Sequence, residues 1–271
     1  MKELYLKDST FAHCLFSNNP LPPKTFTDKI KWNRNTGPSL ETIYTDNHLT
    51  ECNGGIGWLL ESVGVSPANY EYVKLNSNKF KTIWTHEKEL LTSLSNARFV
   101  PFGGCWIDKV DYNLYTEQKN KLFSIIASGK NQLPGHKLRH TIIKAGGSKI
   151  DVFGNGYRPI PDKITGLKNY YFHFVIENCK RDFYFTEKLI DCLMTGTIPI
   201  YWGCPSIGNF FNVDGFITFD TLEELKEKLK LCTPEYYASK AQAIKENFKL
   251  AQQFLLAEDW IYETIYENKA S

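Results

Sequence analysis

The sequence predicts an α/β chain built as two successive halves, each a parallel sheet flanked by helices. Three observations predict this. Short apolar, β-branched runs alternate with helix-patterned stretches along the whole chain. The alternation breaks once, after Trp106, where residues 108–121 turn polar and charged without a clear period. Hydrophobic residues make up 42% and aromatic residues 14% of the 271, enough for a core in each half.

Each element follows in order. In the first half, strands are expected at residues 4–6, 42–45, 56–60, 82–85 and 99–101, with a short helix at 87–94. Prolines 20, 22 and 23 make residues 18–24 a loop. In the second half, strands are expected at 122–127, 150–153, 172–176, 197–202 and 216–219. Helices fall between them at 136–145, 186–195 and 222–231. Pro234 suits a helix start and opens a tail of one or two helices reaching about residue 266. The expected domains are residues 1–110, residues 120–235 and C-terminal helices at 236–271. Two such α/β halves would place a ligand between them, at strand carboxyl ends and helix amino ends.

Composition excludes several classes. Thirty-two Lys and Arg against 30 Asp and Glu give a net charge of +2, with no basic stripe for nucleic acid. No run reaches the ~18 apolar residues of a membrane span. The charged start, Met1 to Asp8, is unlike a secretory leader. The seven cysteines are scattered and form no C-x-x-C pair, so reduced thiols are expected, and with them a cytoplasmic protein. Peripheral membrane association remains compatible with this reading.

Common phosphate and metal motifs are missing. There is no G-x-x-x-x-G-K-[ST], and neither Gly54-Gly55-Ile56-Gly57 nor Gly154-Asn155-Gly156 completes G-x-G-x-x-G, so both read as turns. His136 and His140 share a helix face without a third ligand nearby. No D-x-D occurs, so protein cations rather than a metal are expected to neutralise any diphosphate.

The informative stretch is residues 171–219. A buried strand ends in Glu177-Asn178, a polar pair where an α/β site is built. Tyr184-Phe185-Thr186-Glu187-Lys188 follows. Thr186 can cap the next helix, which puts Glu187 and Lys188 in its first turn. A lysine at the positive end of a helix opposes the dipole, and such a broken rule points to an anion site. On the residues alone the pair reads first as an ordinary solvated surface pair, and Arg139 likewise as part of a basic helix turn.

The order of these residues resembles the donor-binding motif of the α1,3/α1,4-fucosyltransferases, glycosyltransferase family 10. The resemblance is carried by Ile176-Glu177-Asn178, by Tyr184-Phe185-Thr186-Glu187-Lys188, and by Gly196-Thr197-Ile198-Pro199-Ile200-Tyr201-Trp202-Gly203. The Tyr-Trp-Gly-x-Pro-Ser ending is most similar to bacterial members. The departures are Ile176 in place of the motif's phenylalanine, and a first half that is short for the family.

The resemblance implies a GT-B fold, two Rossmann-like domains facing across a donor cleft. It implies an inverting transfer of fucose from GDP-fucose to a glycan hydroxyl, without a metal or other cofactor. By the same resemblance Arg139 and Lys188 would bind the diphosphate and Glu187 the ribose, with Asn178, Tyr184 and Thr186 in the donor pocket. Glu61, within Trp58-Leu59-Leu60-Glu61-Ser62, would be the catalytic base. It is matched to a family W-x-x-x-x-E-S-P segment that is broken here by the insertion before Pro67. The segments Thr85-His86-Glu87-Lys88 and Val100-Pro101-Phe102-Gly103 would continue the match. The alternatives are another nucleotide sugar in the same fold, or a non-catalytic glycan-binding relative.

Overall fold

The computed structural model describes residues 1–8, 29–34, 41–102, 104–107 and 111–267. The expected loop at 18–24, Cys14 and Gly103 lie outside them. The chain forms two compact units. The first comprises Met1–Gly104, Arg181–Tyr184 and Gln253–Ser271, and the second Cys105–Lys180 and Phe185–Gln252.

The first unit holds a six-stranded parallel sheet of β1 (Lys2–Lys7), β2 (Ile30–Asn33), β3 (Thr42–Thr45), β4 (Ile56–Trp58), β5 (Thr82–Thr85) and β6 (Ala97–Phe99). The strand order is β2-β1-β3-β4-β5-β6. Helices α1 (Pro67–Leu75) and α2 (Lys88–Ser93) cover one face. There Tyr70, Val73 and Leu90 pack with Leu59, Phe80 and Ile83. The other face carries a row of indoles. The rings of Trp32 and Trp58 lie 6.3 Å apart, and Trp84 meets Trp58 edge-on at 5.6 Å.

The second unit begins with α3 (Tyr112–Glu117). It then alternates β7 (Lys121–Ile126), α4 (Pro134–Gly146), β8 (Asp151–Phe153), β9 (Tyr170–Ile176), α5 (Glu187–Met194), β10 (Ile198–Trp202) and β11 (Ile217–Thr218). Helices α6 (Leu222–Lys228), α7 (Pro234–Ser239) and α8 (Ala241–Ala251) follow. The parallel sheet runs β11-β10-β9-β7-β8. Central β9 is buried at six of its seven residues, as expected for a strand covered on both faces. Phe172, Phe174 and Ile176 on β9 pack with Ile125, Ile142, Ile198 and Ile200.

The last helix, α9 (Ala257–Ile261), returns to the first unit and leads into a π-helical turn, Tyr262–Glu267. It packs by the indole row: Trp32 Nε1 donates to the buried Glu258 carboxylate at 3.0 Å. The tail from Pro234 thus contains more helices than expected, and the two units divide it between them.

Several elements differ from the expectation. The strand expected at 56–60 ends at Trp58, and that expected at 99–101 occupies Ala97–Phe99. β2, α1 and α3 were not expected. α3 has under two turns, too short for a period to register. α1 buries only Tyr70 and Val73, so its apolar stripe is faint, and Pro67 opens it at N1.

Candidate functional site

Both sheets reverse direction between their first and third strands. In open α/β sheets ligands bind outside the strand carboxyl ends at such a switch point. In the second unit that point lies between β7 and β9, and a hollow of about 220 Å³ begins there. It is lined by Ala127 and Ser128 after β7, Ile176 at the end of β9, and Gly154 and Asn155 after β8. Arg139, Glu187 and Lys188 also line it, with Lys163 and Asp191 deeper in.

Local sequence explains how two helix amino ends reach this point. Gly135, in the first turn of α4, donates its N–H to the Asn178 carbonyl at 3.1 Å. A Cβ there would stand 1.7 Å from the Glu177 carbonyl oxygen, so only glycine lets the helix start approach β9 this closely. Thr186 caps α5, its hydroxyl accepting from Lys188 N–H. The Thr186 N–H and hydroxyl both donate to the fully buried Glu177 carboxylate, at 2.8 and 2.7 Å.

The cations are held by short contacts. Arg139 is buried, and its Nε and Nη2 donate to the Ile176 carbonyl at 3.1 and 2.7 Å. Its Nη2 also donates to Asn178 Oδ1 at 2.9 Å. Asn178 therefore anchors the arginine and is not itself among the lining residues. Lys188 Nζ donates to Thr186 Oγ1 at 3.1 Å and to Glu187 at 3.3 Å, and lies 3.8 Å from Glu177. Lys163 Nζ joins Asp191 at 2.8 Å and Glu187 at 3.4 Å, bridging one turn of α5.

These contacts separate the carboxyl groups electrostatically. Burial pushes the Glu187 carboxyl upward, but the Lys188 and Lys163 ammonium groups overcome it and hold it at about 2. Burial wins at Glu177 and Asp191, whose carboxyls rise despite Lys188 and Lys163 respectively. Burial, then the Arg139 charge, lowers His136. The result is a fixed anion, Glu187, beside two cations and two helix amino ends. Such a site can accept hydrogen bonds from hydroxyls at one point and receive a phosphate at another.

Arg139, Asn178, Thr186, Glu187 and Lys188 are thus brought together in the second unit, with Glu187 and Lys188 sequestered rather than solvated. Tyr184 belongs to the first unit, fully buried against the rings of His86 at 4.9 Å and Phe102 at 6.3 Å. Trp202 packs against the second unit's core, and Phe210 and Phe211 on Phe185. His140 bonds the Tyr157 hydroxyl at 2.5 Å. Sequence reasoning missed Lys163 and Asp191. Asp191 stands four residues after Glu187 on the same helix face, a signal that was available. Lys163 comes from a distant loop and left no local signal.

In the first unit Glu61 follows the carboxyl end of β4. It is half-buried, and its backbone carbonyl accepts from the Tyr70 hydroxyl at 2.6 Å. Glu87 follows the carboxyl end of β5 and is only 8% exposed. Its Oε2 is buried without a hydrogen-bond partner among the described residues, and Arg181 lies 3.9 Å from Oε1. Burial raises this carboxyl, with Arg181 opposing. Beside it His86 is fully buried and is pushed down to about 3 by burial, which keeps the ring neutral.

Comparison with known proteins agrees with this geometry. Residues 116–263 match the C-terminal domain of glycosyltransferase family 10 (fucosyltransferase). The chain is 33% identical over 87 residues to the α-(1,3)-fucosyltransferase FucT of Helicobacter pylori, covering 32% of this chain and 18% of that protein. It is 34% identical over 86 residues to a putative fucosyltransferase-like protein of Arabidopsis thaliana, covering 30% of this chain and 17% of that one. The matches thus span under a fifth of these relatives' lengths.

In three dimensions the chain is similar to a crystal structure of an α1,3-fucosyltransferase with GDP, with a TM-score of 0.57 at 18% identity. That match covers 94% of this chain and 90% of the other. It is also similar to Anabaena Alr3699/HepE in complex with UDP, with a TM-score of 0.54 at 13% identity over 84% of this chain and 78% of that one. These likenesses establish the GT-B fold. With the family match covering more than half of its length, the chain belongs to glycosyltransferase family 10, the fucosyltransferases.

Proposed function

We propose that this chain transfers fucose from GDP-fucose to a hydroxyl of a glycan acceptor, with inversion, as an α1,3/α1,4-fucosyltransferase. The observation that carries this reading is the switch-point hollow, with Arg139, Glu187 and Lys188 on its wall and two helix amino ends beside it. Glu187, ionised at neutral pH, would accept the ribose hydroxyls. An acceptor oxygen would form its bond to the anomeric carbon as the bond to the diphosphate breaks. Charge building on the diphosphate would be met by Arg139, Lys188 and the helix amino ends, with no divalent metal required. The buried thiols suit a reducing compartment, the cytoplasm.

The acceptor proton needs a base. Glu61 is the residue that the resemblance selects. The geometry supports Glu87 instead, a buried carboxyl at a strand end with a raised proton affinity and one oxygen unpartnered among the described residues. Glu87→Gln should lower turnover by roughly 10²–10⁴-fold while leaving GDP affinity intact, and Glu61→Gln should cost much less. The opposite ranking in single-turnover assays would return the role to Glu61.

The donor class is tested by calorimetric titration with GDP, GDP-fucose, GDP-mannose and UDP-glucose in EDTA. Binding of GDP and GDP-fucose in preference to the others supports the proposal. Selective binding of UDP-glucose would favour another nucleotide sugar, and binding of no nucleotide would leave a glycan-binding relative.

A further inference from the structure

The first unit contains a second and larger cavity, of about 470 Å³, none of whose lining residues belongs to the donor hollow. Its volume falls within the roughly 300–1,000 Å³ of small-molecule sites. It begins at the amino ends of three strands, at Glu41 before β3, Ile56 on β4 and Thr82 on β5. It then runs up the sheet face where Trp84 and Arg98 stand side by side in register. The opposite wall is Trp260 of α9 and the π-helical turn with Thr264 and Tyr266. A π-helical turn is uncommon and recurs at functional sites.

The chemistry of the wall is specific. Phe99 and Trp260 supply flat apolar surface, Phe99 meeting Trp260 edge-on at 5.7 Å, and the fully buried Trp84 backs the wall. Glu41 is fixed at the rim by Lys81 at 3.0 Å and the Tyr266 hydroxyl at 2.7 Å. Burial pushes the Glu41 carboxyl up, but Tyr266 and Lys81 bring it below its ordinary value, so it is an acceptor at neutral pH. Arg98 donates from Nη1 to the carbonyls of Ser95 and Ala97, at 2.9 and 2.7 Å. Its other donors meet no protein acceptor among the described residues, and no carboxylate there pairs with it. Arg98 and Lys81 against Glu41 leave the cavity one positive charge in excess.

We infer that this cavity is a saccharide site selective for an acidic sugar, with the ring packed on Trp260 and Phe99 and the carboxylate on Arg98. A sugar presents an apolar C–H face to an aromatic ring and hydroxyls to its edges, which Glu41, Thr82 and Thr264 can meet. A guanidinium with donors to spare matches a carboxylate in bidentate geometry. An inorganic anion would leave the aromatic walls unused, and a hydrocarbon would leave the guanidinium unpaired.

The test uses the full chain and three probes: methyl glucuronide, methyl glucoside and benzoate, each followed by tryptophan fluorescence and ligand-observed NMR. Methyl glucuronide should bind at least tenfold more tightly than methyl glucoside. Arg98→Ala should remove that preference, and Trp260→Leu should weaken both sugars. Arg98 is exposed, so its substitution should leave the fold intact, and an unchanged GDP titration checks this separately from the donor reading. Failure of wild type to bind methyl glucuronide, an unchanged preference in Arg98→Ala, or tighter binding of benzoate than of the glucuronide would each overturn the inference.

Discussion

At the scale of single residues, the candidate donor site is a set of opposed charges that only burial makes meaningful. Lys188 is mostly buried and sits among a hydroxyl and two carboxylates. Its replacement by Ala should weaken GDP binding by roughly 1.5–3 kcal/mol, the range of a charge-assisted hydrogen bond. Calorimetry reads this directly, and unchanged affinity would remove Lys188 from the site. Glu187 gives a pH signature. Its folded-state value of about 2 lies below its ordinary 4.5, so it contributes stability above the ordinary value that is lost as pH falls toward 2. Denaturant titrations from pH 6 down to about pH 2 should show wild type losing a few kcal/mol more than Glu187→Gln. Parallel losses would mean that the lysines do not hold the anion.

At the scale of elements, helix α4 reaches β9 because residue 135 has no side chain. The Cβ of an alanine there would meet the Glu177 carbonyl, which is backbone and cannot swing aside. Gly135→Ala should therefore cost about 1–3 kcal/mol from overpacking and shift the helix end that faces the hollow. We expect a lower Tm together with weaker GDP binding, and an unchanged Tm would show that α4 can retreat at no cost. The cap of α5 is similarly coupled. Thr186 donates twice to Glu177, so losing the hydroxyl would leave a buried carboxylate oxygen short of a partner.

For the whole molecule, the division into two units makes a calorimetric prediction. The candidate donor residues that converge on the hollow, Arg139, Glu187 and Lys188, belong to the second unit. GDP at a hundred times its Kd should add about 2.7 kcal/mol to the stability of whatever unfolds with that site. We expect two thermal transitions, of which GDP raises one. The transition that it leaves in place should report on Trp32, Trp58 and Trp84 of the first unit. A single transition raised as a whole by GDP would show that the units unfold together.

The sequence by itself determined the α/β class, the position of most strands of the second unit and the family motif, because these are written in local order. Residues 172–176 read as a buried strand from an apolar run interrupted only by His173, and β9 contains all of them. Thr186 read as a cap from its place before an apolar helix, and it caps α5. Tertiary structure alone decided which charges meet. Lys163 is 24 residues from Glu187 in sequence, and no period connects them. Glu87 gains its raised proton affinity from burial that a sequence does not display, and Tyr184 stands two residues from Thr186 yet packs in the other unit. Secondary structure follows from patterns of neighbours along the chain. Proton affinity and partnership follow from which distant groups exclude water around a charge, and only folding sets that.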